Sequence, residues 1–266
     1  AGFAIIAYGK LGGLELGYGS DLDIVFLHGS HGAYQQTDGE LSLDNGRFFM
    51  RLAQRLIHFL SIQTTSGRLY EVDIRLRPSG ESGFMVTSLD AFKRYQRKEA
   101  WVWEHQALLR SRSVAGSERV CEAFEADRRV VLTEHVERAS LRQEVLRMRM
   151  RMRAELTTSR EGQFDLKHDR GGLADIEFLV DYWVLSNAAQ TPALVEFPDN
   201  VRQLEALEIA KLVPAEHCQE LTRVYLLLRE RSHELALNDA GCIVDASEFV
   251  DERRWVGMLW DEVFAE

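Results

Sequence analysis

Two short apolar runs near the start of the chain predict buried strands. Residues 3–8 and 24–27 are almost free of polar side chains, which is typical of strands covered on both faces. Residues 69–76 alternate apolar and charged positions, the pattern of a half-buried strand. Between the last two strands, apolar residues three and four apart predict a helix over 45–65, with Asn45 as its cap. This strand–helix–strand order predicts a βαβ-type arrangement that brings the strand ends together.

The pattern after the third strand predicts a short edge strand and then helices. Residues 84–87 form the strand candidate, and Ser88 is placed to cap a helix, or a pair of helices, that continues to Leu109. Trp101 and Trp103 lie in this helical region as core or ring-stacking residues, and the core is favoured. The polar segment 29–44 shows no apolar period and is expected to be a loop.

From about Ser117 the apolar positions follow a helical period, and strand signals almost disappear. The main predicted helices cover 172–189, 200–212, 214–238 and 246–264. A leucine-rich core is expected from Leu226, Leu227, Leu228, Leu235 and Leu237. The segment 147–153 alternates arginine and methionine like a strand, but its neighbours are good helix formers, which favours a helix. The change in pattern predicts an α+β protein with two domains: residues 1–116 with a small mixed sheet, and an all-helical bundle over 117–266.

Composition narrows the function classes. The chain has 266 residues, 45% of them hydrophobic, and a net charge of -10. A nucleic-acid binder usually carries a basic domain, so this balance argues against DNA or RNA as the main partner. The three cysteines are widely spaced and form no Cys-x-x-Cys motif, which favours reduced thiols in a cytoplasmic protein. No apolar run reaches membrane-spanning length and no signal peptide is visible. Because the chain opens on a core strand without an initiating Met, it is expected to be a piece of a longer protein.

The chemistry of the chain is expected at three aspartates. Asp21 and Asp23 stand at the mouth of the second strand, where positions two apart share one side. If the third strand lies beside the second, Asp73 becomes a third carboxylate in the same site. Like charges held together are relieved by a hard divalent cation, and Mg²⁺ is typically held by carboxylates and substrate phosphates. The alternative is a solvated turn with ordinary surface aspartates.

Several neighbours of these aspartates are candidates for phosphate contact. A glycine turn precedes the second strand, and two arginines follow Asp73. The candidate nucleotide-binding residues are Gly9, Lys10, Gly12, Gly13, Ser20, Arg75 and Arg77. Glycines let backbone N–H groups approach phosphates, and arginines neutralise them. The alternative for Arg75 and Arg77 is an ion pair at the strand edge with Glu71 or Asp73, and Lys10 has the alternative of decorating a turn.

Four stretches resemble glutamine synthetase adenylyltransferase, a bacterial enzyme with two nucleotidyltransferase halves. They are GKLGGLELGYGSDLD at 9–23, YEVDIRLRPSG at 70–80, EAWVWEHQAL at 99–108 and DLKHDRGGLADIEF at 165–178. The resemblance covers essentially the whole chain. The glycine motif before Asp21 and the final segment 260–266 resemble the C-terminal, AMP-adding half.

The resemblance implies a fold and a reaction. The implied fold of the first part is a nucleotidyltransferase domain like that of DNA polymerase β. The implied reaction transfers AMP from ATP to a tyrosine of glutamine synthetase, with two Mg²⁺ ions held by Asp21, Asp23 and Asp73, and it regulates nitrogen assimilation. PII signal protein and glutamine are implied as regulators.

Three other functions stay open at this point. One is the deadenylylating half, in which phosphate attacks the adenylyl link. The second is a non-catalytic module that binds glutamine or PII protein through its helices, and the third is a uridylyl- or small-molecule nucleotidyltransferase. The roles of Asp165, Lys167, Asp175 and Glu177 are also open between helix capping and shaping a ligand site. The four arginines of 147–153 are either a solvated helix face paired with glutamates or a patch for docking or phosphate.

Overall fold

The computed structural model describes residues 1–31, 35–65, 67–68 and 70–264, and it divides the chain into two compact units. These are Ala1–Val136 and Glu137–Glu266. The division lies later in the chain than the change of hydrophobic pattern at residues 116 and 117. Within the described residues, no helix combines the length and the apolar character needed to cross a membrane.

The first unit contains five strands and five helices among the described residues. The strands are β1 (Phe3–Ala7), β2 (Leu22–His28), β3 (Val72–Asp73), β4 (Val86–Ser88) and β5 (Arg112–Gly116). The helices are α1 (Gly9–Gly12), α2 (Asn45–Leu60), α3 (Leu89–Lys98), α4 (Val102–Leu109) and α5 (Glu118–Val130). A single 3₁₀ turn covers Gly80–Ser82, and a π-helical turn, Val131–His135, continues α5.

The strands form one mixed sheet with β2 at its centre. On one side β2 pairs antiparallel with β1, which in turn pairs antiparallel with β5. On its other side β2 pairs in parallel first with β3 and then, further along, with β4. Because α2 connects β2 to β3 and these strands are parallel, the βαβ-type arrangement expected from the sequence is confirmed.

Alternation along β2 explains why its apolar run is continuous. Ile24 and Phe26 pack in a cluster with Ala53 of α2. Val25 and Leu27 point to the opposite face and are also buried. Helix α3 contacts β2, and α5 contacts β1. A strand covered on both faces has no position where a polar side chain would reach water, so the run lacks polar residues.

The third strand and the following helix differ from their predicted bounds. Strand β3 ends at Asp73, and residues 75 and 76 form a turn. The predicted first residue of this strand, Leu69, lies outside the described residues. Helix α2 ends at Leu60 instead of residue 65, and its cap is Asp44, whose side chain accepts a hydrogen bond from the Arg47 N–H. The cap therefore lies one residue before the predicted Asn45. The carboxylate of Asp44 can also interact favourably with the positive end of the helix.

Two further predictions can be tested in the first unit, and one of its strands is absent from the predictions. Ser88 does cap α3, because its hydroxyl accepts a hydrogen bond from the Ala91 N–H. Trp101 and Trp103 are not core residues: 66% and 37% of their surface is exposed. The strand β5 was not predicted, since its sequence contains a single β-branched residue and its pairing with β1 is irregular.

The second unit is mainly helical. Its helices are α6 (Leu141–Leu156), α7 (Leu173–Asn187), α8 (Asn200–Ile209), α9 (Ala215–Leu237) and α10 (Val250–Phe264). A two-stranded antiparallel sheet of β6 (Gln163–Asp165) and β7 (Ile243–Asp245) corrects the expectation of an all-helical domain. Both strands are only three residues long, too short to show an alternating pattern.

The arginine–methionine segment and the leucine-rich helix both had a predicted position in this unit. The arginine–methionine segment 147–153 lies within α6, so the helix prediction for it is confirmed. Among the five leucines expected in the core, Leu228 is buried, whereas Leu226 and Leu237 are exposed. The long helix α9 buries one narrow stripe of its surface, and a run of consecutive leucines covers more than that stripe.

Candidate active site

The structure brings the three predicted aspartates together at one end of the sheet. Asp23 and Asp73 are directly opposite each other in the parallel pairing of β2 and β3, and Asp21 comes just before β2. One carboxylate oxygen from each lies within 4.8 Å of the others. Asp21 is exposed, and Asp23 and Asp73 are partly buried. Solvent can therefore reach the cluster, while the sheet fixes two of its members.

The donor set of this cluster fits a hard divalent cation. All three side chains offer carboxylate oxygens, the ligand type that Mg²⁺ and Mn²⁺ prefer. Three like charges at this separation repel one another, and a cation between them would replace repulsion by attraction. The open side of the cluster leaves room for oxygens of a substrate in the coordination sphere.

Arg75 is the counter-ion of Asp73 in this structure. Its Nε donates hydrogen bonds to both carboxylate oxygens of Asp73, at 2.8 and 3.1 Å. The backbone N–H of Arg75 donates to the same carboxylate at 2.8 Å. The side-chain hydrogen bond from Arg75 is the main reason that the pKa of Asp73 lies below its usual range. Asp73 is therefore ionised at neutral pH, as a metal ligand must be.

Gly9 allows the backbone to pass against the second aspartate. Its φ of +53° lies in the left-handed region, and a Cβ built there would stand 2.4 Å from Oδ2 of Asp23. The neighbouring Tyr8 N–H donates a 2.9 Å hydrogen bond to the Asp23 carbonyl, which continues the β1–β2 pairing to this point. Any larger residue at position 9 would have to displace the carboxylate or the turn.

Gly12 and Gly13 have a packing role in the glycine turn. Their N–H groups donate to the carbonyls of Tyr8 and Gly9, at 2.8 and 2.9 Å. A Cβ on Gly12 would lie 2.1 Å from the carbonyl oxygen of Arg110, so the backbones approach too closely for a side chain. These two N–H groups are used inside the turn here, which differs from the expected contact with phosphate.

The other candidate phosphate contacts lie in different settings. Lys10 is exposed on α1. Ser20 is buried, and its hydroxyl accepts a 3.2 Å hydrogen bond from the Gly17 N–H, closing the turn before Asp21. Arg77 donates to the carbonyls of Ile74, Glu81 and Gly83, so in this structure it organises the loop after β3. Among the two arginines, Arg75 faces the carboxylates and Arg77 holds the backbone beside them.

Two buried acidic residues that support this region were missed. Glu15 follows the glycine turn and pairs with Arg110 at the end of α4. Glu104 accepts hydrogen bonds from the Tyr95 hydroxyl at 2.8 Å and from the Trp101 N–H at 2.9 Å. Burial raises the pKa of Glu104 above its usual range. A local signal existed only for Glu104, three residues after a helix start, where a capping glutamate is common.

The arginine segment of the second unit divides into two faces of α6. Arg147 and Arg151 are exposed and pair with Glu144 and Glu155, as the solvated-face alternative predicts. Arg149 is completely buried and donates to a carboxylate oxygen of Asp175 at 2.7 Å. The four arginines of 147–153 therefore do not form one continuous surface patch.

Asp175 has a structural role at the start of α7. Its carboxylate also accepts hydrogen bonds from Arg153 at 2.9 and 3.0 Å and from the Gly171 N–H at 2.7 Å. The other acidic residue of this motif, Asp165, accepts bonds from the N–H groups of Lys167 and His168 at 2.8 and 3.0 Å. Asp175 lies in the first turn of α7, in agreement with the capping alternative, whereas Asp165 closes the turn that follows β6.

Comparison with known proteins gives the two units separate matches. Residues 1–127 match the family model described as glutamate-ammonia ligase adenylyltransferase. Residues 139–240 match the model described as GlnD PII-uridylyltransferase. Both descriptions are of enzymes that transfer a nucleotidyl group.

Curated relatives match over the whole length of the chain. A protein of Thioalkalivibrio sulfidiphilus is 54% identical over 265 residues, which is 100% of this chain and 27% of the relative. Proteins of Hahella chejuensis and Pseudomonas putida are 51% and 48% identical, covering 99% and 98% of this chain and 28% of each relative. All three are named bifunctional glutamine synthetase adenylyltransferase/adenylyl-removing enzyme. The chain spans little more than a quarter of the length of these relatives.

Proposed function

We propose that this chain transfers AMP from ATP to a tyrosine hydroxyl of glutamine synthetase, with Mg²⁺ held by Asp21, Asp23 and Asp73. The observation that carries the proposal is the approach of these carboxylates to within 4.8 Å at the ends of paired strands. The names of the relatives supply the acceptor protein and the transferred group. The activity is named for relatives of which this chain spans little more than a quarter, and we propose that this part carries the AMP-adding reaction.

The residues of the site have distinct parts in the proposed reaction. Bound Mg²⁺ would neutralise charge on the phosphates and on the entering and leaving oxygens. The acceptor oxygen loses its proton to solvent and forms a bond to the α-phosphorus. The bond between the α-phosphorus and the oxygen that bridges it to the β-phosphate breaks, and pyrophosphate leaves with that oxygen. Because its pKa is lowered, Asp73 is a weak base, so we assign it to cation binding and to orienting the tyrosyl hydroxyl. Asp21 and Asp23 would hold the cation at the strand end.

Arg75 is proposed to exchange partners when ATP binds. Its side chain is exposed and already lies against Asp73. A cation that takes over the Asp73 carboxylate would free the guanidinium to pair with a phosphate, a geometry that arginine favours. Gly9 keeps space beside Asp23. Lys10 follows Gly9 directly and is exposed, and we assign it to a contact with the triphosphate.

The direction of transfer rests on the sequence motif before Asp21, which resembles that of the AMP-adding half. The relatives' name also includes an adenylyl-removing activity. The same carboxylate cluster would then direct phosphate at the adenylyl link and release ADP. We propose addition, with removal as the alternative that the experiment separates.

The test follows a radioactive label in both directions. The chain is incubated with unmodified glutamine synthetase, ATP labelled in its adenine, and Mg²⁺, and we expect label in the protein. In the second arm, adenylylated glutamine synthetase carrying the label is incubated with phosphate and Mg²⁺. Release of labelled ADP in the second arm, with no incorporation in the first, would reverse the assignment.

Matched variants connect the result with the site. Asp21→Asn and Asp73→Asn should abolish incorporation, whereas Asp38→Asn, an exposed aspartate of the same unit, should leave it unchanged. Equal incorporation by the wild type and both site variants would reject the cluster as the catalytic centre. An assay without Mg²⁺ and with added EDTA should show the same loss of incorporation as the site variants.

Control by PII signal protein or glutamine is proposed for the second unit. The match of residues 139–240 to a model named for a PII-uridylyltransferase supports this assignment. The transfer assay repeated with PII protein, and separately with glutamine, should show a changed rate. A rate that neither addition changes would confine regulation to parts of the longer relatives that this chain lacks.

A further inference from the structure

The second unit contains a cavity of about 750 Å³ that is open at the surface, and four of its nine lining residues are arginines. Helices α6 and α10 supply most of its wall, together with the segment around Asp169. The lining residues are Arg153, Ala154, Thr157, Phe164, Asp169, Arg170, Val250, Arg253 and Arg254. Four cationic side chains thus face one acidic one, on a protein with a net charge of -10.

Three of the four arginines of this cavity have a carboxylate partner, but these partners are either shared or largely exposed. Arg153 shares the single carboxylate of Asp175 with Arg149. Arg254 and Arg170 pair with Asp251 and Asp261, and both pairs are largely exposed, so each contributes little energy in water. Arg253 has no carboxylate within ion-pair distance in the described part of the chain.

Two residues that line the cavity each contain a buried polar atom without a hydrogen-bond partner among the described residues. These atoms are Nε of Arg153 and the hydroxyl oxygen of Thr157. A buried donor without an acceptor costs about 1–3 kcal/mol, and more when it is charged. Both atoms have almost no exposed surface, so an anion in the cavity would reach them only after Arg153 or Thr157 changed its rotamer.

Arg253 is held in place at the wall. Its guanidinium lies 4.8 Å from the centre of the Phe164 ring, and its Nη2 donates a 2.6 Å hydrogen bond to the Ala246 carbonyl. The aromatic ring and the backbone fix the orientation of the planar group while other N–H groups remain for a ligand. Such ordering before binding reduces the entropy cost of fixing a flexible cation.

We propose that this cavity binds a small phosphate-bearing anion, independently of the carboxylate cluster of the first unit. Planar guanidinium groups bind phosphate oxygens in pairs, and a group with two or more negative charges matches a wall of four arginines whose carboxylate partners are shared, exposed or absent among the described residues. The source is either a free inorganic phosphate species or the phosphate of a nucleotide. Both present the same oxygens, and the two can be distinguished by titration.

The experiment is calorimetric titration of the chain with inorganic pyrophosphate in EDTA. Without a divalent cation the carboxylate cluster repels anions, so binding reports on the cavity. Arg253→Gln and the more exposed Arg170→Gln should each weaken binding at least about tenfold, consistent with losing one charge-assisted contact. The control is Arg151→Gln, an arginine of α6 that is exposed and paired with Glu155, and it should bind like the wild type. Circular dichroism shows whether each variant is folded.

Further arms decide the specificity and the source. Malonate should bind more weakly than pyrophosphate, and the double variant Asp21→Asn/Asp73→Asn should bind pyrophosphate as the wild type does. Tighter binding of AMP than of pyrophosphate would identify a nucleotide as the source, and the reverse order would identify free phosphate. Absence of binding by the wild type, or equal binding by Arg170→Gln and the wild type, would overturn the proposal. Equal affinity for malonate would overturn the assignment to phosphate.

Discussion

The two units each contain an aspartate paired with arginine, and the two pairs differ mainly in burial. In the first unit, the side chains of Asp73 and Arg75 are 14% and 70% exposed. In the second unit, the side chains of Asp175 and Arg149 are both 0% exposed. An exposed guanidinium can leave its carboxylate for a ligand at little cost, whereas a buried one has no solvent to replace its partner. The same residue types therefore make an exchangeable site in one unit and a fixed structural contact in the other.

The charges around the Asp73–Arg75 and Asp175–Arg149 pairs add to the difference between them. Asp73 shares its surroundings with two more carboxylates, so the local balance is negative and a cation is favoured. Asp175 instead binds Arg149 and Arg153, so the local balance there is positive. From this comparison we expect substitutions in the first unit to affect binding and transfer, and substitutions at Asp175 to affect folding.

The largest effect on stability is expected at Asp175. Asp175→Asn leaves two arginines, one of them completely buried, without their carboxylate, which should lower the free energy of unfolding by about 3–5 kcal/mol. Urea unfolding followed by circular dichroism measures the change. The matched substitution Asp251→Asn, at a carboxylate that is 90% exposed, should change it by less than about 0.5 kcal/mol. Equal effects of the two substitutions would contradict the structural role of Asp175.

The largest effect on transfer is expected at Asp23. Asp23→Asn removes one carboxylate of the proposed cation site, and the transfer rate should fall by about 100- to 1,000-fold, the range found when one electrostatic contact to a transition state is lost. The free energy of unfolding should change by much less than the loss of about 3–5 kcal/mol expected at Asp175, because Asp23 is only partly buried and its removal reduces repulsion among the three carboxylates. Rate and urea stability are measured on the same preparation. A rate loss that simply follows a stability loss would place Asp23 with Asp175 as a structural residue.

A smaller effect is expected from Gly9→Ala, which tests the space beside Asp23. Gly9 and Gly19 both have positive φ, +53° and +69°, so alanine at either position should cost about 1–2 kcal/mol of stability. A Cβ meets Asp23 only at position 9, since nothing lies within 4 Å of the one built at position 19. Gly9→Ala should therefore reduce Mg²⁺-dependent transfer clearly more than Gly19→Ala. Equal transfer rates in the two variants would show that this close approach has no functional importance.

The smallest effect is a change in titration at Asp73. The hydrogen bond from Arg75 holds the pKa of Asp73 below its usual range, so Arg75→Gln should raise it. A lowered pKa in the folded state gives stability that is complete above the unfolded pKa, near 4, and lost as pH falls through the folded value. The variant should lose that contribution. Carbon-13 NMR of the aspartate carboxyl groups measures the pKa directly.

The control for this titration is Arg68→Gln. Arg68 pairs with Glu71 near the same strand and should leave the Asp73 titration unchanged. An Asp73 pKa that is the same in the wild type and in Arg75→Gln would show that the contact is absent in solution.

The sheet centre and the aspartate cluster could be predicted because their signals are local and strong. The continuous apolar run of β2 requires burial on both faces, and the long helix α2 returns the chain along the sheet, which favours parallel pairing of β2 and β3. Parallel pairing then brings Asp73 opposite Asp23. The prediction of strand ends was less accurate: β3 stops at Asp73 because Arg75 turns back to bind that carboxylate.

Features that depend on distant partners could not be predicted. Nothing in the alternation of arginine and methionine shows that Arg149 is buried and Arg151 exposed, because the deciding partner, Asp175, lies 26 residues away. The exposure of Trp101 and the edge strand β5 likewise follow from tertiary packing. The role of Gly12 depends on the Arg110 backbone, nearly a hundred residues further along the chain.

Cation binding at the aspartate cluster is the most direct test of the central proposal. Mn²⁺ prefers the same oxygen ligands as Mg²⁺ and can be titrated by electron paramagnetic resonance. The wild type should bind Mn²⁺ in the presence of ATP, and Asp21→Asn, Asp23→Asn and Asp73→Asn should each weaken binding at least about tenfold, the loss of one strong ligand contact. Asp38→Asn should bind as the wild type does. If Asp73→Asn binds Mn²⁺ as tightly as the wild type, the three carboxylates do not form one site and the account is contradicted.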